Sequence, residues 1–469
     1  MVTAAEFLLV PLIAAALCVV PIKGLARAVA VLAGLLTAAN AAAATWFGVA
    51  YPVDTFGFAG SPGAHLAIDL DGWSAALVML SGIVFAVGAA ASGDVRWPRA
   101  YFALWSLLQA SVAGVFVARD LLLFFSFWEA LLVPLALLMW HWGGADRRAF
   151  ALRLLIYWMT GSALLLTGIL ALGVGARTFS FTALGAYRLA ENSQMIFALL
   201  FLAAFAVRLP LFPFHAWLPR TYVAAPLPLA IVLSSVVSKT AIYAIARICM
   251  PFFPRGMADL APYLISLAAF GALYGAVLAT RQRDTRTFIA YASMSQLDLI
   301  ALGAFLGTPT GLGGALVASA SNGLVVATLF LLAAAIARRV GSFGFGSGGL
   351  GSRTPVLGSF FLLAILATLG VPGTSGAPGE LLILAGAFAR SPTIGILAAL
   401  VLIVSAVYGI RVVHAVFSGP TADRGSDLSW SERALVIPLL ALILVVGVAP
   451  VVISDLAPPG GPALTERAR

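Results

Sequence analysis

The sequence predicts an all-α polytopic membrane protein of about fourteen transmembrane helices, and three observations carry that prediction. Of the 469 residues, 62% are hydrophobic and only 10% charged, where a soluble chain is about a quarter charged. The apolar residues fall in successive runs of the length that crosses a bilayer, about 20 residues each. Two of those runs are interrupted by proline and glycine at membrane depth, where irregular backbone survives only when buried in protein or lining a cavity. This balance excludes a soluble enzyme, a disordered chain and a nucleic-acid binder. The net charge of +9 comes from basic residues flanking the apolar runs, where they set topology.

Spans are expected near 4–22, 26–48, 72–92, 98–117, 119–140, 149–175, 194–218 and 224–250, then near 260–281, 286–305, 311–337, 354–390, 393–418 and 432–454. Met1 enters an apolar run without a basic leader or a clear cleavage site, which reads as a retained first helix. The seventh span carries Pro210, Pro213 and Pro219, and the twelfth carries the run from Val371 to Gly379. Two interrupted spans in corresponding places, about 160 residues apart, point to an inverted-repeat transporter with its path between the repeats. With the N-terminus outside, fifteen Lys and Arg fall in inside loops, Lys23, Arg27, Arg338 and Arg339 among them. About six fall outside: Arg119, Arg177, Arg188, Arg255, Arg390, and Arg247 at a helix end. That asymmetry places both termini on the outer side. The Gly-rich stretch 341–352 reads as a flexible inside loop, and Asp94, Asp146 and Asp284 as solvated partners of loop arginines. Cys18 and Cys249 lie in apolar runs, and the four histidines show no metal-ligand spacing.

Ionisable residues inside the spans carry the functional signal. The chain has 25 Arg and only two Lys. Lys23 is explained by its loop, whereas Lys239 stands about fifteen residues into the eighth span. A desolvated Lys can release its proton and an Arg effectively cannot, which suits Lys239 to a proton relay. The alternative is a side chain reaching the interface or a static pair. Glu129 in the fifth span and Glu380 beyond the break of the twelfth are candidate proton carriers. Their alternatives are static pairing and, for Glu380, a helix-start charge. Arg208 either biases Glu129 or clamps it, and Asp298 either titrates or sits near a water-filled end. His215, at the seventh-span break, is read as capping freed carbonyls. With Gln296 and Asn322, Glu129, Arg208, Lys239 and Glu380 form a line of polar groups across the membrane plane. No nucleophile–base set, metal motif or nucleotide fingerprint stands out.

At these residues the chain resembles the antiporter-like membrane subunits of respiratory complex I (NADH-quinone oxidoreductase), closest to the subunit M branch. Phe-Trp-Glu-Ala-Leu-Leu-Val-Pro at 127–134 resembles the family's fifth-helix motif, and residues 208–219 its broken seventh helix. Ala225-Pro226, Lys239-Thr-Ala-Ile-Tyr, residues 284–295 and residues 370–380 match further family motifs. The resemblance implies two inverted five-helix repeats, at 98–253 (helices 4–8) and 254–420 (helices 9–13). Helices 1–3 would occupy 1–97, and helix 14 with a short tail 421–469. It implies Glu129 as the pair carboxylate, Lys239 as the central relay and Glu380 as the terminal relay. Glu at 380 favours the M branch over the L and N branches, and the short Pro/Gly-rich tail disfavours the L branch. Arg208 stands where the family has Lys, and Gln296 and Asn322 where close relatives have His. Asp298 stands where the family usually has Gly and offers a replacement proton site. The function implied is proton translocation in a membrane arm, coupled to redox chemistry elsewhere. No cofactor is expected in this chain; FMN, iron–sulfur clusters and quinone are expected in partner subunits. L- and N-like siblings and the lipid bilayer are the expected partners, in a bacterial-type inner membrane. Competing readings are a subunit of a multi-subunit cation/proton antiporter or membrane-bound hydrogenase, and a non-pumping scaffold.

Overall fold

The computed structural model describes residues 4–46, 54–57, 65–345, 349–351, 353–419 and 426–455. Parts of the Gly-rich stretch (346–348 and 352), and the tail from 456 to 469, lie outside the described residues.

The helices follow the apolar runs because in hydrocarbon the backbone must satisfy its own hydrogen bonds. In order they are α1 Glu6–Leu17 and α2 Leu25–Trp46, then a two-stranded antiparallel hairpin, β1 Asp54–Gly57 and β2 His65–Ile68. The chain continues through α3 Gly72–Ala91, α4 Pro98–Val117, α5 Leu121–Trp142, α6 Arg147–Ala176 and α7 Glu191–Arg208. After a break come α8 Leu227–Phe252, α9 Pro254–Arg281, α10 Thr285–Phe305 and α11 Pro309–Val340. α12 Pro355–Thr368 and α13 Gly376–Arg390 flank the second break, followed by α14 Pro392–Phe417 and α15 Trp430–Val448. Among the described residues, twelve helices are long and apolar enough to cross a membrane. α1, with 12 residues, and α12, with 14, are shorter apolar helices. The first span is therefore shorter than the sequence suggested.

Both breaks fall where the sequence predicts them, and for the expected reason. Pro210 and Pro213 have no N–H to continue α7. Between α12 and α13, Gly370 (φ +61°) and Gly373 (φ +90°) adopt the left-handed backbone that glycine permits. Asp284 departs from expectation: its Oδ1 accepts from Thr287 N–H at 2.9 Å and caps α10, whereas Asp94 does pair with Arg27, at 3.6 Å. Cys18 and Cys249 are buried free thiols.

α8, α10 and α11 form the centre, with 100%, 94% and 94% of their most apolar windows buried; α2, α6, α14 and α15 are the more peripheral helices. Helices approach closely through small residues, as membrane packing favours. A Cβ on Gly82 of α3 would stand 2.5 Å from Ala38 N of α2. One on Gly379 of α13 would stand 2.5 Å from Ala318 N of α11. The second contact sets the depth of the neighbouring Glu380 against α11. Gly379→Ala must push α13 off α11, and a loss of about 1–3 kcal/mol is expected from such overpacking. Thermal unfolding of the detergent-solubilised complex should show a lower Tm for that variant.

Candidate functional site

Lys239 is fully buried on α8. Just before it, residues 233–237 form a π turn in which Ser238 N–H bonds to Leu233 O, five residues back. Such widened turns are often found at functional sites. The Ser234 carbonyl accepts Ser238 Oγ at 2.9 Å and Lys239 Nζ at 2.6 Å. Asn322 Oδ1 of α11 accepts a second Nζ hydrogen bond at 2.6 Å, and Ser238 Oγ lies at 3.4 Å. Among the described residues, Lys239 forms no ion pair within 4 Å. Neutral oxygens orient the ammonium without fixing a counter-charge against it. Position 322 is thus the direct ligand of the lysine, a pairing not drawn from the sequence.

Asn322 also lines a small cavity between α10, α11 and the α12–α13 break, together with Gln296, Ser321, Thr368 and Glu380. The cavity measures about 10 Å³, near the room a single water needs. Gln296 Nε2 donates to Thr368 O at 3.1 Å, and Ser321 Oγ to Ser375 Oγ at 2.7 Å. Glu380 is buried with Oε2 lacking a hydrogen-bond partner. That oxygen faces Gly370, where a Cβ would collide with it. The space between Lys239 and Glu380 is therefore polar: Asn322 touches the lysine, and Asn322 and Glu380 share a cavity.

At the first break the arrangement differs from a simple Glu–Arg clamp. Arg208 is buried, with its guanidinium carbon 3.4 Å from the Trp128 ring centroid and 4.7 Å from that of Trp158. Its Nη2 donates to Trp128 O at 3.1 Å. Glu129 acts on it through Coulomb attraction and, among the described residues, makes no ion pair within 4 Å. Glu129 Oε1 has no hydrogen-bond partner. Desolvated cation–π contacts contribute about 2 kcal/mol or more, so an aromatic cage holds the guanidinium while the carboxylate beside it stays unengaged. The cage is what sequence reasoning missed; its only signal was the tryptophan preceding Glu129.

His215 does not cap the break. The freed Val207 carbonyl accepts from Trp217 Nε1 at 2.8 Å, while His215 stacks on Phe212 with Nδ1 unpartnered. Asp298 is not near a water-filled end either. It is fully buried against Gly271 of α9, and neither carboxylate oxygen has a hydrogen-bond partner. Arg119, expected in an outside loop, and Arg247, expected at a helix end, are both buried. Among the described residues, no group of three or more His, Cys, Asp or Glu side chains gathers to hold a metal ion.

The family model described as "NADH:quinone oxidoreductase/Mrp antiporter, TM" matches residues 118–405. The chain belongs to this family. Within it, NADH-quinone oxidoreductase subunit M of Rhodobacter capsulatus is 32% identical over 416 residues, covering 85% of this chain and 81% of that protein. The solved structure of respiratory complex I from Thermus thermophilus with bound NADH contains a chain that superposes with a TM-score of 0.90. That chain is 32% identical, with 97% and 98% of the two chains covered. The Mrp complex from Dietzia shares the fold at a TM-score of 0.86 and 22% identity, over 97% and 96% of the chains. The protein is a multi-pass integral membrane protein of the complex I type.

Exchanging Asn322 for aspartate would set a full negative charge against Lys239. An opposite charge at that range favours the protonated lysine by about one to three pKa units. Asn322→Asp should therefore slow redox-driven proton translocation about tenfold or more in an assembled complex, read by a pH-sensitive dye in proteoliposomes.

Proposed function

We propose that this chain is a proton-translocating membrane-arm subunit of a complex I-type NADH-quinone oxidoreductase, equivalent to subunit M. The observation that carries the reading is Lys239, buried in the bundle centre and bonded only to neutral oxygens. A lysine so placed exchanges a proton at modest electrostatic cost, whereas one locked to a carboxylate would keep it. Glu129 and caged Arg208 form the input end. A shift of Glu129 relative to the fixed guanidinium changes the field felt along α8. Lys239 holds the proton, and Asn322 with the water-sized cavity leads it towards Glu380, the terminal carrier. Gln296 serves by hydrogen bonding and does not titrate; Asp298 and His215 lie off this line.

The remaining assignments follow the same reading. Residues 98–253 and 254–420 are two inverted halves, each with one broken helix. Both termini face the outer side of a bacterial-type inner membrane. The burial of Arg119 and Arg247 supports this orientation, because they then drop from the outside count of topogenic charges. FMN, iron–sulfur clusters and quinone belong to partner subunits, and the flanking membrane subunits are L- and N-like siblings.

Lys239→Arg provides the sharpest test. It keeps the positive charge and removes the exchangeable proton, since guanidinium remains charged. Both Lys239→Arg and Lys239→Ala should lower protons translocated per NADH oxidised in the tagged, reconstituted complex. Full stoichiometry in Lys239→Arg would sink the relay.

A further inference from the structure

A second charged cluster, unused by the relay, closes one end of the same helix. It sits on the hairpin side of the bundle, where Asp69 N–H bonds to Val117 O at 2.9 Å and Arg119 N–H to Ala67 O at 2.8 Å. Lys239, Tyr243 and Arg247 are spaced at four-residue intervals along α8, so Tyr243 lies about 6 Å beyond the lysine along the axis. Arg119 Nη2 pairs with Asp71 at 3.1 Å and its Nε with Asp69 at 3.7 Å; Arg247 also pairs with Asp71. The two guanidinium groups point into the bundle and are buried, while the two carboxylates keep over a quarter of their surface exposed.

Tyr243 is the innermost member, and its hydroxyl is saturated. It donates to Phe116 O at 2.7 Å and accepts from Arg119 Nη1 at 2.8 Å. Ser74 Oγ lies 3.1 Å from it and is itself held by Arg119 Nη2 at 3.0 Å. A phenol has one proton to give and two lone pairs. All three are committed, so no lone pair remains for a proton coming from Lys239. An arginine beyond it offers no exchangeable proton either. The cluster of two arginines and two aspartates is neutral overall and ties α3, α4 and α8 together.

We infer that this Tyr243–Arg119–Asp71–Arg247 cluster is a proton-tight plug that shuts Lys239 off from the hairpin side. With that side shut, transfer runs sideways past Asn322. The inference rests on Lys239 being the proton carrier. That reading is tested separately by redox-driven pumping, whereas a leak needs no turnover.

The test uses the intact complex, purified through a tag on this chain and reconstituted in vesicles with an internal pH dye. Passive proton conductance is recorded after an imposed pH step, without NADH. Arg119→Gln frees one lone pair of Tyr243 and should raise conductance several-fold. Adding Lys239→Ala or Tyr243→Phe to that variant should return it to the wild-type level, because the leak would run through both groups. Arg119→Lys, which retains a donor and a charge, should stay tight. Wild-type conductance in Arg119→Gln overturns the plug, and so does a leak that persists without Lys239 and marks general damage. Should Arg119→Gln fail to assemble, Ser74→Ala decides: it vacates a single contact of the same hydroxyl. A smaller leak with the same dependence on Lys239 supports the plug, and a tight Ser74→Ala overturns it.

Discussion

The structure is organised around one hydrogen-bonded ammonium: Lys239 Nζ between Ser234 O and Asn322 Oδ1. Burying a charge in a bilayer is costly, and the fold meets that cost without a counter-ion. A π turn widens α8 just before the lysine, and the Ser234 carbonyl receives its ammonium. α11 must then run close enough to bring an amide oxygen to 2.6 Å. That demand explains why α8, α10 and α11 are the most enclosed helices, and why glycines line the approaches of α11 and α13.

Around this centre the polar groups divide by mobility of charge. In the proposed relay Glu380 and Lys239 are the proton-exchanging groups, and they lie at either end of a polar passage. Asn322, Gln296, Ser321 and Thr368 between them offer hydrogen bonds without net charge. Arg208, Arg119 and Arg247 carry permanent charge and are pinned by aromatic rings or carboxylates. On α8 the two kinds share one helix, Lys239 at its centre and the pinned Arg247 towards its end.

Much of this was legible in the sequence. Run lengths and hydropathy give the membrane helices, and Pro210, Pro213 and the stretch from Val371 to Gly379 mark both breaks because proline and positive-φ glycine leave local signatures. Lys239 stood out through composition, a lone buried lysine in an arginine-rich chain. What eluded the sequence is long-range pairing. Asn322 meets Lys239 across 83 residues, and Arg119 meets Tyr243 across 124. No periodicity encodes such contacts. The same limit explains why Arg119 read as a loop charge and Arg247 as an outside helix-end charge: an arginine at a helix end looks alike whether it faces water or an aspartate. His215 was misread as a cap because proximity to a break in sequence does not say which side chain reaches the freed carbonyl; Trp217 does.

The caged guanidinium of Arg208 has a mechanical consequence. A charge that never discharges can transmit a signal only through a change in its distance from its neighbours. At an effective dielectric constant of about 20, moving a second unit charge from about 8 Å to about 5 Å away changes their energy by about 1.2 kcal/mol. Held by two indole rings, Arg208 is the stationary reference in that geometry, so displacement belongs to the carboxylate side. Long-distance coupling in such a subunit would then resemble a lever with a fixed fulcrum more than a wire.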